Sequence, residues 1–186
     1  MNRIDARFQE LQAKGQTAFI AYITAGDPTL EATADLVVEL EKAGVDVIEL
    51  GVPFSDPVAD GTVNQEAAQR ALQHGVTLHD IVAAVGRLRA RTQTPIVLFT
   101  YFNPVLAYGL ESFANDASAC GVDGVLCVDL PPEEATEYKR CLDGQGISTV
   151  FLAAPTSSDA RLELLSKTST GFVYRSEERR VGKGGR

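Results

Sequence analysis

Two hydrophobic periods alternate along the chain. Residues 2–14 space Ile4, Phe8 and Leu11 along one face of an amphipathic helix, which Gly15 ends. Short apolar runs then recur at Ala18–Thr24, Val47–Leu50, Pro95–Thr100, Gly124–Val128, Ile147–Ala153 and Gly171–Tyr174, and each reads as a strand. Between them helical spacing is expected at Leu30–Ala43, Thr62–Gln73, Thr77–Arg91, Leu110–Ala119, Pro131–Leu142 and Ser158–Ser166. Connections of that length permit helical crossovers, so the strands should be parallel. A weak internal echo supports repeated units: Ala43-Gly44-Val45-Asp46 returns as Cys120-Gly121-Val122-Asp123, each time between a helix and a strand. The pattern predicts an α/β chain with an extra N-terminal helix and strands one to six of a (βα)8 barrel. A barrel fits this order better than a doubly wound sheet.

One strand breaks its own rule. Val47, Ile48 and Leu50 are suited to a buried parallel strand, yet Glu49 places a carboxylate among them. An ionised carboxylate is costly to bury without a partner. Gly51 leads into a loop with Pro53, Asp56, Pro57, Asp60 and Gly61, and a helix resumes at Thr62. One carboxylate thus closes a strand and two more follow it, at the end where barrel and open-sheet enzymes place their chemistry. The alternative is a strand-end Glu paired with a neighbouring base, with Asp residues that only shape turns.

Composition narrows the class. At 186 residues one domain is expected, and a hydrophobic share of 45% reads as a soluble globular chain. The apolar runs are too short to span a bilayer, and no signal-peptide pattern opens the sequence, so a cytoplasmic protein with no membrane partner is expected. A net charge of −8 without a basic patch argues against nucleic acid. Cys120, Cys127 and Cys141 read as buried free thiols. His74 and His79 lack partners at ligand spacing, so no metal is expected, and both should face solvent. From Arg175 the text becomes RSEERRVGKGGR, with five basic and two acidic residues against 12 and 23 before it. That shift, and a likeness to a translated sequencing-library adapter, predict a native domain over residues 1–174 and a non-native tail over 175–186.

Leu50–Gly61, preceded by Glu49, resembles the signature of the tryptophan synthase α subunit family. Tyr22–Pro28, Tyr101–Pro104, Asp129–Glu134, Ala154–Ser157 and Gly171–Tyr174 resemble further strand ends and loops of that family, in its order. The resemblance implies a barrel that cleaves indole-3-glycerol phosphate to indole and glyceraldehyde 3-phosphate, a retro-aldol reaction without a cofactor. It implies Glu49 as the main acid–base residue and Asp60 as the group that stabilises the indole N–H. A carboxyl among Val47, Ile48 and Leu50 should titrate high, whereas a loop carboxylate nearer water should stay ionised. Tyr22, Thr100, Tyr101 and Asp129 would line the indole pocket or support the carboxylates. Pro53, Asp56, Asn103 and Pro132 would face a pyridoxal-phosphate β subunit in an α2β2 heterotetramer, the cofactor belonging to that partner alone.

The sequence departs from the family at Thr62, where proline is usual, and at Asn64, where an apolar residue is usual. Thr62 is a competent cap. Strands seven and eight and the glycine-rich phosphate loops have no counterpart, so the chain as written is expected to be inactive and poorly soluble. Two rivals remain. A Schiff-base aldolase needs a strand-end lysine, but Lys42, Lys139 and Lys167 fall in or just after helical segments. A non-catalytic partial barrel that only binds a β subunit would not need Glu49 or Asp60.

Overall fold

The computed structural model describes residues 2–176. The elements run α1 (Arg3–Ala13), β1 (Ile20–Thr24), α2 (Leu30–Lys42), β2 (Val47–Gly51), α3 (Thr62–Gln73), α4 (Leu78–Leu88), β3 (Ile96–Thr100), α5 (Phe102–Tyr108), α6 (Leu110–Ala119), β4 (Gly124–Cys127), α7 (Thr136–Gly144), β5 (Ser148–Ala153), α8 (Asp159–Thr168) and β6 (Val173–Arg175). The six strands form one parallel sheet in sequence order.

Alternation along each strand sorts the side chains into two cores. Ile48, Leu50, Ile96, Leu98, Val125 and Phe151 point outward and pack with Val37 of α2, Ile81 and Val85 of α4, Phe113 of α6, Leu142 of α7 and Leu165 of α8. Val47, Val97, Leu126 and Val150 have the opposite parity; they converge on Ile4 of α1, so the sheet curls round its own inner face. Ile4 is fully buried, which contributes roughly 1.5–3 kcal/mol. Phe8 adds an edge-on contact with Phe172 at 5.8 Å. Helix α1 therefore closes the N-terminal end of the barrel. Its own start is fixed by Asn2, which caps the Ile4 N–H and donates to the Asp123 carbonyl and the Ser148 hydroxyl.

The repeated tetrapeptide serves this closed end. In both copies a glycine of positive φ (94° at Gly44, 81° at Gly121) ends a helix. The next N–H then reaches back five residues, Val45 to the Leu40 carbonyl and Val122 to that of Ala117. The aspartate that follows ties its strand to the preceding one. Asp46 accepts the Phe19 N–H at 2.7 Å and a fork from Arg7. Asp123 accepts the Ile96 N–H at 2.8 Å, Arg89 at 2.6 Å and Arg3 at 3.0 Å. Burial pulls the Arg89 guanidinium below its ordinary value, and Asp123 opposes that pull.

Several sequence-based expectations change. Helix α5 lies where a loop after β3 was expected: Pro104 is its third residue, in the first turn, where a missing N–H costs nothing. Pro131-Pro132 does not open α7, because a residue before proline is pushed out of the helical region. A turn from Pro131 to Glu134 intervenes and the helix begins at Thr136. Thr62 is the first residue of α3, not its cap; Gly61 holds the cap position without a side-chain bond. Only Cys127 of the three free cysteines is buried, Cys120 and Cys141 being partly exposed. Arg175, assigned to the tail, continues β6 opposite Ala153, and residues 177–186 of that segment lie outside the described residues.

Replacing Asp123 by alanine leaves Arg89 and the Ile96 N–H without their shared acceptor. Denaturant unfolding should show a loss of about 3–5 kcal/mol, against less than about 1 kcal/mol for Arg3→Ala, whose side chain is 38% exposed.

Candidate active site

Glu49 sits at the middle of β2, between Tyr22 of β1 and Val97 of β3 in register. Its parity is the inward one. Ile48 and Leu50 therefore face away from it, and only Val47 of its sequence neighbours shares its side of the strand. The carboxyl is desolvated by the barrel interior instead. It is 5% exposed, and its Oε1 has no hydrogen-bond partner among the described residues. Burial alone raises it from an ordinary 4.5 to about 7. An acid poised there can both give and take a proton near neutrality.

Above Glu49 lies a cavity of about 480 Å³. Tyr22, Phe99 and Tyr174 form an aromatic wall, with edge-on contacts of 5.5 Å between Tyr22 and Phe99 and 5.7 Å between Phe99 and Tyr174. Val128 and Leu152 continue it. Burial raises both Tyr22 and Tyr174 above the ordinary phenol value, so both remain neutral hydroxyls. Gly51 makes room for this wall. A Cβ there would lie 2.5 Å from Cζ of the Tyr22 ring. The inner face of β2 is thus left bare directly above Glu49.

Asp60, Gly61 and Asn64 border the cavity from the loop after β2 and the first turn of α3. Tyr101 fixes this border. Its hydroxyl accepts the Ala59 N–H at 2.9 Å and donates to Asp60 Oδ2 at 3.0 Å, which leaves Oδ1 available. The ring packs against Phe54 at 5.2 Å, and burial pushes the phenol up to about 12, which keeps it a donor. Gln65 donates to the Asp60 carbonyl at 2.8 Å.

The remaining residues singled out from the sequence separate. Thr100 is buried on the outer side of β3 and donates to the Tyr101 carbonyl, away from the cavity. Asp129 is exposed and accepts the Phe102 N–H at 2.7 Å, a cap for α5 supplied by the neighbouring loop. Asp56 and Asn103 are exposed and Pro132 is half-buried, but Pro53 is buried and offers no docking surface. His74 and His79 are exposed, with the His79 ring stacked on Tyr108 at 3.5 Å. No group of three or more potential metal ligands occurs among the described residues. Lys42, Lys139 and Lys167 lie in α2, α7 and α8, and no lysine among the described residues lines the cavity, so the Schiff-base alternative finds no amine there. Phe99, Val128, Leu152, Tyr174 and Asn64 were not foreseen as lining residues. The strand register places the first four on the face of Glu49, two residues at a time, a relation that the structure supplies and the sequence does not.

The family model described as tryptophan synthase alpha chain matches residues 8–182. The chain is 52% identical over 174 residues to the tryptophan synthase alpha chain of Geobacter sulfurreducens, covering 94% of this chain and 66% of that protein. It therefore spans a little under two thirds of such relatives. The crystal structure of tryptophan synthase subunit alpha from Legionella pneumophila superposes with a TM-score of 0.92 at 41% identity, over 95% of this chain and 68% of that one. A chain of the tryptophan synthase complex from Pyrococcus furiosus gives 0.82 at 45% identity, over 85% of this chain and 65% of that one. The six-stranded sheet is part of a (βα)8 barrel, and the chain belongs to the tryptophan synthase alpha chain family.

Proposed function

We propose that this cavity performs the carbon–carbon lyase reaction of the α chain, releasing indole and glyceraldehyde 3-phosphate from indole-3-glycerol phosphate. The observation that carries the reading is the unpartnered Glu49 carboxyl, held at about 7 beneath an aromatic wall with a fixed aspartate across from it. A planar ring fits between Tyr22, Phe99 and Tyr174. Protonated Glu49 gives its proton to ring carbon 3, and Asp60 accepts a hydrogen bond from the ring N–H, whose acidity rises as the ring becomes cationic. The Glu49 carboxylate then takes the proton of the adjacent glycerol hydroxyl. The bond between carbon 3 and the side chain breaks, its electrons return to the ring, and the hydroxyl carbon becomes the aldehyde. Glu49 ends as it began, and no cofactor enters.

The same reading assigns a partner. Val58, Val63 and Leu106 are 78, 77 and 55% exposed on the loop after β2, on α3 and on α5. With Asp56 and Asn103 they offer a mixed apolar and polar face to a β subunit, which carries the pyridoxal phosphate and receives indole. A heterotetramer in the cytoplasm is the assembly this implies. No helix among the described residues is long and apolar enough to cross a membrane. If the chain were only a docking module, replacing Glu49 would leave everything but folding unchanged.

Three measurements test the proposal. In a chain extended to the length of its relatives, Glu49→Gln should lower indole release from indole-3-glycerol phosphate by about 10²–10⁴-fold; unchanged turnover would sink the catalytic role. Stability gives a second signature. The unfolded carboxyl ionises above 4.5 while the folded one holds its proton to about 7, so stability falls as pH rises through that window. Unfolding of the wild type should lose roughly 3 kcal/mol between pH 4 and pH 8 from this group, and Glu49→Gln should remove that loss. Thirdly, Tyr101→Phe should lower kcat about tenfold or more with little change in melting temperature, and should speed hydrogen exchange at the Ala59 amide.

A further inference from the structure

Asn64 has no task in the chemistry above. It is the third residue of α3 and lies on the helix's buried side: Ala67, Ala68 and Ala71 follow it at spacings of three, four and seven, and all three are buried. Its neighbour Val63 faces solvent. An apolar residue would complete this stripe, yet a half-buried amide heads it at the cavity edge. The amide makes no hydrogen bond to the described residues. The local backbone acceptor, the Asp60 carbonyl, is taken by Gln65, so Asn64 is not serving the loop.

An amide brings two N–H donors and a carbonyl acceptor. The glycerol chain leaves the ring at carbon 3, beside Glu49, and on the Asp60 side of the cavity the unsubstituted ring offers one hydrogen-bonding group, its N–H, which Asp60 absorbs. Seated beside bare ring carbons, the Asn64 amide would lose water and gain nothing. A hydroxyl or amino group on the same edge of the ring answers both the donor and the acceptor. We propose that Asn64 is a specificity-determining residue which tunes this cavity toward indole rings carrying a hydroxyl or amino substituent on the edge that faces Asp60. The inference rests on the indole reading of the cavity and adds the identity of the ring.

Indole and its 4-, 5-, 6- and 7-hydroxy derivatives are titrated by calorimetry into the chain extended to the length of its relatives, as wild type and as Asn64→Leu, which is nearly isosteric. Wild type should bind at least one hydroxyindole about fivefold to tenfold more tightly than indole, the ratio expected of one added hydrogen bond. Asn64→Leu should abolish that preference and tighten indole itself. Should Asn64→Leu fold less stably than wild type, Asn64→Ala carries the same comparison, with loss of the preference expected again. Indole bound by both proteins with unchanged ratios overturns the role of Asn64 while leaving the cavity reading intact. No binding of any indole by either protein overturns both.

Discussion

Every central strand of this sheet is buried on both faces, and the whole arrangement depends on keeping the two faces distinct. Parity decides it. Ile48 and Leu50 belong to the helix-facing core, whereas Val47 and Glu49, one position away, belong to the barrel interior. A slip of one residue in β2 would send the carboxyl into the helices and an isoleucine into the cavity. The aspartates at the closed end hold register against such a slip: each accepts one backbone N–H at the start of the preceding strand, and each is itself held by arginine.

The interior is layered along the barrel axis. Ile4 and the ring of valines and leucine form a dry floor, Glu49 stands one layer above it, and the aromatic wall and Asp60 lie at the open end. The floor shields the carboxyl from solvent on its lower side, and that burial is why its proton is held to about 7. Asp60 is treated differently. Tyr101 satisfies one of its oxygens, which fixes its direction while leaving the other oxygen open. Two carboxyl groups of one loop–strand unit thus differ because one is buried bare and the other is tethered at a cavity rim.

Much of this was legible in the sequence, for a local reason. Helix and strand periods, Gly44 and Gly121 as stops, and the lone charge in Val47–Leu50 are all written within a few residues. Inward and outward positions were not legible, because a strand covered on both faces is apolar at both parities; that is why Ile48 and Leu50 were counted among the surroundings of Glu49. Asp129 and Thr100 show another limit of a linear reading. A strand-end polar group looks alike whether it meets a ligand or caps the next helix, and only the packing of α5 beside the β4 loop decides. The Asp46 and Asp123 echo was visible as a repeat, but its work is done on N–H groups of other strands, a relation no linear reading contains.

Gly51 has a consequence at the level of the gene. Whatever its codon, a glycine codon changes by one base only to itself, to a stop or to residues that carry a Cβ, and any Cβ here strikes the Tyr22 ring. No single-base missense change at this codon leaves the ring in place. A lineage that leaves glycine here must therefore either displace the Tyr22 ring from the cavity wall or carry a smaller residue at position 22, so the two positions do not vary independently.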